Sequence, residues 1–599
     1  MNSKFQMLLS KAKELLRTSP LVLLMSFLAA ISSIVAIENE NEPWAFSFTV
    51  LAFVACLGIS LFFALQMAAE RYSKRALLYS LGFLILFGVY LVLPKSQKEF
   101  GAPNAYFLAG LFLLSHLLVS FVGYLKERDS KSFWYYNKQL FLNIFLTAVF
   151  TFVLVGGVML AILSVDKLFE LEFRDTLYPE VFLFLAIIGS TFIFLLFGSG
   201  GIRELEKQTP YPSALKFFTQ LILIPLLLIY VVILYLYALK IAIQWELPRG
   251  WVSYLILIYA CVGQLALLLV HPLKSDQARS WVKIFSRIFY FSLIPLLVLL
   301  FVALFTRVLD YGYTEPRYFL LILSLWLSSV VAYFCFRQNA SIKFVPLSLF
   351  AFGAFALFMP YLNAFSSAKR SQKAELSKEL REAKVLQGGK IEFEHKITEA
   401  QRESIVDKFR FLVERGEWDS IEQWIPKKQL AALAPDVAKK DYWVFESKLK
   451  SEFTNVTETK ANPLDLGFTL DFEPELVKTK GFDYVYFFKV PTVETFTLEK
   501  DQLSIDYSPY AANPKLLFTV KSENGESTTK DLLPTLQSLL EPYKNRSGTI
   551  ASEPLSTEFT LANYTFKLHF QTISAREVKP KASDLLLDPL EFTVLIRKN

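Results

Sequence analysis

The chain of 599 residues is 53% hydrophobic, 16% aromatic and only 20% charged, with a mean hydropathy of +0.38, which excludes an ordinary soluble protein built around one modest core. Its formal charge of +7 is unevenly placed: residues 1–365 hold 28 Lys and Arg against 19 Asp and Glu, whereas 366–599 hold 34 against 36. A basic surplus confined to the apolar part is what loops facing anionic lipid produce, and no basic run interleaved with aromatics marks a nucleic-acid surface.

Residues 1–19 set Leu8, Leu9, Leu15 and Leu16 near helical spacing among Lys4, Lys11, Lys13 and Arg17, the pattern of an amphipathic helix lying on the inner membrane surface. The apolar run that follows is longer than a signal-peptide core and leads into the acidic ENENEP, so it is read as an uncleaved first span. Apolar length and flanking charge predict about 11 spans between 20 and 364: 20–37, 45–68, 76–94, 104–125, 139–164, 180–198, 217–240, 251–270, 284–306, 317–336 and 344–363. Counted over alternate short loops, Lys and Arg number about 18 on the side of the N-terminus and about 6 on the other, which predicts a cytoplasmic N-terminus. An odd number of crossings then puts the C-terminal part outside, in the periplasm of a bacterial inner membrane.

Beyond the last span, 365–389 reads as a charged helical stalk closed by Gly388 and Gly389, and 390–599 as a soluble domain. In it IEFEHKI alternates like a strand, 400–415 is an amphipathic helix with Ile405, Phe409, Phe411 and Leu412 on it, and 418–451 is a further helical stretch. FTLDFEP, YVYFFKV, TFTLEK, LSIDY, LLFTVKS, STEFTLA, YTFKLHFQTI and FTVLIRK are short β-rich runs, interrupted by one helix at 530–543. The predicted fold is therefore a polytopic α-helical membrane bundle followed by a C-terminal soluble α+β domain with an antiparallel sheet.

Three stretches of the apolar part, SFWYYNKQLFLNIFLT at 132–147, YLYALKIAIQWELPRGWVSYL at 235–255 and RVLDYGYTEPRYFLLILSLW at 307–326, resemble the bacterial membrane proteins grouped as domain of unknown function 4153. The resemblance covers roughly residues 130–350 and implies a multi-pass inner-membrane protein. It brings no catalytic or binding residue with it.

No motif specifies a reaction. Cys56, Cys261 and Cys335 all lie in apolar runs and assemble neither a disulfide framework nor a zinc site, and GxSxG, HExxH and CxxC are absent from the soluble part. The candidate site is a polar cluster at the outer span ends, Lys240, Glu246, Arg249, Arg307, Asp310, Glu315 and Arg317, with Asp166 and Lys167 nearby in type. Charges at the hydrocarbon boundary either pair, line a wet cavity or snorkel singly to the interface. His116 is the histidine set deep in a span, where a helix-packing hydrogen bond competes with a proton-relay role. Gly198, Gly200, Gly201 and Arg203 read as a span terminus, and Asp471, Glu473 and Glu475 as a solvated strand face. These readings favour a non-enzymatic envelope scaffold or sensor whose outer domain binds an envelope protein or lipid, with no cofactor or metal. A transporter or channel is the alternative, and an enzyme acting on a lipid-linked substrate the third.

Overall fold

The computed structural model describes residues 2–126, 129–171, 173–198, 201–207, 213–244, 251–271, 280–337, 340–457, 467–472, 479–489, 493–507, 515–541, 548–552, 555–577 and 585–599. The chain divides into two compact units, Met1–His395 with Gln401–Thr454, and Lys396–Ala400 with Asn455–Asn599.

The first unit is helical: α1 Asn2–Thr18, α2 Pro20–Glu38, α3 Ala45–Tyr72, α4 Arg75–Val92, α5 Ala102–Phe121, α6 Ser130–Phe169, α7 Leu177–Phe184, α8 Ser190–Phe197, α9 Gly201–Leu205, α10 Ser213–Phe217, α11 Ile224–Gln244, α12 Trp251–Leu269, α13 Ser280–Tyr311, α14 Glu315–Phe336, α15 Phe344–Phe358 and α16 Ala364–Glu382. Pro20, Pro103 and Pro316 sit in the first turns of α2, α5 and α14, where a missing N–H costs nothing. Asp129 caps α6 by accepting from the N–H groups of Lys131 and Ser132. Residues 185–189 join α7 to α8, and 218–223 join α10 to α11, as π-helical turns, so each pair forms one rod.

Among the described residues, ten helices are long and apolar enough to cross a membrane, from Pro20–Glu38 to Glu315–Phe336. The eleventh expected span, 344–363, is the 15-residue α15, which reaches only about 22 Å at 1.5 Å per residue against a core of about 30 Å. The chain is nonetheless a multi-pass integral membrane protein by the length and composition of the other ten. Two apolar cores hold the bundle. One gathers Phe62, Phe63, Leu61 and Leu65 of α3 with Leu111, Leu114 and Tyr136; the other gathers Ile224, Tyr259, Phe289, Leu293 and Val330 from α11 to α14.

The segment expected to be a stalk is packed. On α16, Ala364, Ala368, Gln372, Leu376 and Leu380 recur at helical spacing and are all buried. Gly388 and Gly389 do not end this helix, which stops at Glu382; both have positive φ and make the tight turn between β1 (Leu386–Gln387) and β2 (Lys390–Ile391). The helices α17 Glu399–Val413, α18 Trp418–Ile421, α19 Lys427–Lys439 and α20 Tyr442–Glu452 fall where sequence periodicity puts them. Residues 401–454, expected beyond a boundary at 390, pack with the bundle unit.

The second unit holds β3 Ile397–Thr398, β4 Val456–Thr457, β5 Gly467–Phe472, β6 Tyr484–Lys489, β7 Val493–Leu498, β8 Asp501–Tyr507, β9 Leu516–Lys521, β10 Ser527–Asp531, β11 Gly548–Ser552, β12 Ser556–Leu561, β13 Tyr564–Glu577, β14 Leu585–Lys598 and the helix α21 Leu533–Leu540. An antiparallel meander β10-β9-β8-β7 faces a larger sheet ordered β11-β5-β13-β14-β6, with β12 paired to β13. Leu503, Ile505, Phe518, Phe566, Phe592 and Leu536 share one core. IEFEHKI supplies only the ends of β2 and β3 around a turn, and β10 and β11 carry no apolar alternation that would reveal them.

Candidate functional site

Among the described members of the predicted polar cluster, no ion pair joins one to another. Glu246 and Arg249 lie outside the described residues. Lys240 and Asp310 are exposed, Arg307 is half-buried, and among the described residues no ion pair is formed by any of the three. Glu315 is different in kind: it opens α14 with 1% of its side chain exposed and is gripped by Arg415, which is 6% exposed. Arg415 Nε donates to Glu315 Oε1 at 2.6 Å and Nη2 to Oε2 at 3.0 Å, the fork-on-fork geometry that only arginine offers a carboxylate. Its Nη1 donates to the Phe411 carbonyl at 3.0 Å and its guanidinium lies 3.4 Å from the centre of the Phe411 ring.

Around this pair the span ends are clasped. Gln372 Nε2 of α16 donates to the carbonyls of Tyr311 and Tyr313, each at 2.9 Å, and Ser371 Oγ accepts from the Tyr313 N–H at 2.8 Å. Arg317 Nη1 donates to the Gly312 carbonyl at 2.8 Å, and the Tyr318 hydroxyl donates to the Leu362 carbonyl. Lys369 reaches Glu417 at 3.0 Å and Lys440 reaches Glu99 at 2.6 Å. Tyr318 is thus held by its hydroxyl at the span end, and the helices of 401–454 are fastened to the membrane helices by charge. On α17, Asp407 has its carboxyl pushed above the usual carboxylate range by partial burial and by Glu446 and Glu403.

A second polar group sits at the opposite ends of α3 and α5. Glu70 accepts from the Ile202 N–H at 2.9 Å and from Gln66 Nε2 at 3.3 Å, while Glu206 accepts from the Tyr124 hydroxyl at 2.6 Å and pairs with Arg71. Gly201, with φ +65°, comes so close to Glu70 that a Cβ there would stand 2.5 Å from its carboxylate. In the sequence alone this glycine reads as a span terminus. The signal available was the adjacent Glu70–Arg71 pair at the end of an apolar run. Asp166, by contrast, closes a local loop, accepting from the Phe173 N–H at 3.2 Å and from the Tyr178 hydroxyl at 3.2 Å.

Between α2, α3, α5, α6 and α8 lies a cleft of ≈ 610 Å³ whose lining includes Ser60, His116, Asn137, Thr147, Thr151 and Thr191. His116 is exposed to it, with Nδ1 2.8 Å from the Phe112 carbonyl. Most of its polar lining is internally satisfied: Ser60 bonds Ser115 at 2.7 Å, and Asn137 accepts from Ser120 Oγ at 2.7 Å. Among the described residues no group of three or more His, Cys, Asp or Glu is placed to hold a metal ion.

The apolar rods and their polar ends define a multi-pass helical membrane protein with an appended α+β part. A family model described as domain of unknown function (DUF4153) matches residues 22–387, more than half of the chain, and the chain belongs to that family. An uncharacterised protein of Pasteurella multocida is 26% identical over 253 residues, which is 41% of this chain and 42% of that relative, so the match spans less than half of either. No solved structure matches.

Proposed function

We propose that the protein is an envelope scaffold or sensor in the bacterial cytoplasmic membrane, with its N-terminus cytoplasmic, whose β-rich unit binds a partner protein by strand addition. The observation that carries this reading is the end strand β6. Among the described residues it pairs on one side only, with β14. Its inward Tyr486 and Phe488 join the core, while the outward Val485 and Phe487 are 50% and 66% exposed. A half-paired strand with apolar outward side chains is a template that proteins ordinarily blunt with charge, and strand addition is a common mode of partner recognition. The basic bias of the loops on the N-terminal side supports a cytoplasmic N-terminus.

The test is a photo-crosslinking amino acid at Phe487 in living cells, with Lys500 as an exposed control on the neighbouring turn. A discrete adduct from 487 and none from 500, lost in V485K, supports the reading; no adduct at 487 overturns it. Transport is favoured only by the cleft beside His116, and is tested by solute flux in proteoliposomes.

A further inference from the structure

We infer that the cleft between α3, α5, α6 and α8 is a binding site for a long-chain membrane amphiphile whose head is a hydroxyl group. Its volume of ≈ 610 Å³ and its largely apolar walls, among them Phe63, Leu140, Phe141, Ile144 and Phe194, suit the first methylenes of a lipid chain entering from the bilayer. Apolar walls alone would say no more than that acyl chains fill it. The polar atoms say more.

Serine and threonine inside a membrane helix normally return their hydroxyl to the carbonyl one turn back. This chain follows the habit at Ser164, which donates to Leu160 at 2.7 Å, and at Thr306, which donates to Val302 at 2.9 Å. Thr147 and Thr151, one turn apart on α6 and both lining the cleft, break it. Among the described residues neither Oγ1 has a hydrogen-bond partner, and Thr147 is only 8% exposed. A buried hydroxyl left unpaired costs free energy that a ligand would recover.

The opposite polarity comes from His116. The Phe112 carbonyl can only accept, so Nδ1 carries the hydrogen of that 2.8 Å contact, and in the neutral ring Nε2 remains an acceptor. A site offering an acceptor from one helix and unpaired hydroxyls from another is matched by a group that both donates and accepts. A hydroxyl does this; an ester, an ether or a carbonyl only accepts, and an ammonium only donates. Residues 185–189, immediately before the lining residues Ser190 and Thr191, are π-helical, a local insertion that turns the following side chains to a new face and recurs at functional sites.

The experiment uses the full-length protein in lipid nanodiscs and hexadecan-1-ol carrying a diazirine in mid-chain, with the methyl ether of the same probe as control. The alcohol is expected to label peptides spanning 112–120 and 141–151, and the ether to label them about tenfold less, the fold expected for one to two lost hydrogen bonds. Thr147→Val with Thr151→Val, which keeps the shape and removes both hydroxyls, should lower alcohol labelling to the level of the ether. Ala148→Phe, which fills the cleft and leaves the hydroxyls in place, should abolish labelling by both, so the proposal stays testable if the double variant misfolds. Competition with dioleoylglycerol and with geranylgeraniol separates a glycerolipid from an isoprenoid alcohol as the natural source. Equal labelling by alcohol and ether, unchanged labelling in Ala148→Phe, or competition by neither alcohol overturns the inference.

Discussion

Arg415 closes on Glu315 through two parallel hydrogen bonds, 100 residues apart in sequence and both nearly sealed from solvent. This pair fixes the helices of 401–454 to the mouth of α14, and its energetics are asymmetric. Removing one partner strands a buried charge, at a cost of about 3–5 kcal/mol, whereas replacing both with apolar residues of similar size costs far less. Arg415→Ala should therefore lower the thermal midpoint in detergent sharply, and Glu315→Leu with Arg415→Met should recover most of the loss. Additive effects of the two single changes would show that the pair is not coupled. Arg307→Ala and Asp310→Ala, at positions with no ion pair among the described residues, should each change stability by about 0.5 kcal/mol or less and add independently.

Gly312 lies directly beneath this clasp with φ +69°, and a Cβ there would stand 2.8 Å from Glu375 Cγ and 2.9 Å from Ser371 Oγ. Gly312→Ala meets both a backbone penalty and a clash with α16, and should destabilise by about 2–3 kcal/mol. Gly389→Ala, at φ +80° with nothing within 4 Å, carries the backbone penalty alone and should cost about 1 kcal/mol. Thermal melts of the two variants side by side measure the difference. Equal losses would mean that α16 is not held against the Gly312 turn.

Much of this architecture was legible from residue pattern because its causes are local. A run of apolar residues long enough to cross a bilayer must be helical, since the backbone has no other way to satisfy its polar groups in lipid, and alternation in YTFKLHFQTI and FTVLIRK reports strands with one face in a core. The role of Glu315 was not legible. It depends on Arg415, whose charge looks like any surface cation until the fold brings it 2.6 Å from a carboxylate. The exposed β10, STTKD, shows the same limit, because its pairing with β9 is set by register and leaves no apolar trace. Thr147 is one threonine among many in apolar runs. Only the missing back-bond singles it out.

In the β-rich unit, Tyr564 is 1% exposed and donates to Asp501 Oδ2 at 3.0 Å. Burial first, then this bond to a carboxylate, raises its phenol from the usual value near 10 to about 12. A group whose folded pKa exceeds its unfolded value contributes stability that is intact below the unfolded pKa and lost as pH rises through the folded one. The window is therefore pH 10 to 12, and the loss amounts to about 2–3 kcal/mol at 1.36 kcal/mol per unit. Tyr564→Phe should start less stable at neutral pH, having lost the bond, but should show a shallower decline across that window. Parallel declines for the two proteins would remove Tyr564 as the cause.

The cleft makes a prediction about stability that runs opposite to the usual effect of mutation. Thr147 buries a hydroxyl with no partner among the described residues, so Thr147→Val replaces an unsatisfied polar atom with a methyl group of nearly the same volume. The desolvation cost of an unpaired hydroxyl is about 1–3 kcal/mol, and removing it should raise the stability of delipidated protein by about 1 kcal/mol. Added hexadecan-1-ol should then stabilise the wild type more than the variant, because a ligand that binds only the folded state adds stability that grows as the logarithm of its concentration over Kd. The same substitution at Thr306, whose hydroxyl already bonds the Val302 carbonyl, should give no gain in delipidated protein. Thermal unfolding of the three proteins, with and without the alcohol, checks the argument: a Thr147→Val protein no more stable than wild type when delipidated would mean that the hydroxyl is satisfied in the membrane, and a site that conceals no cost has none for a ligand to recover.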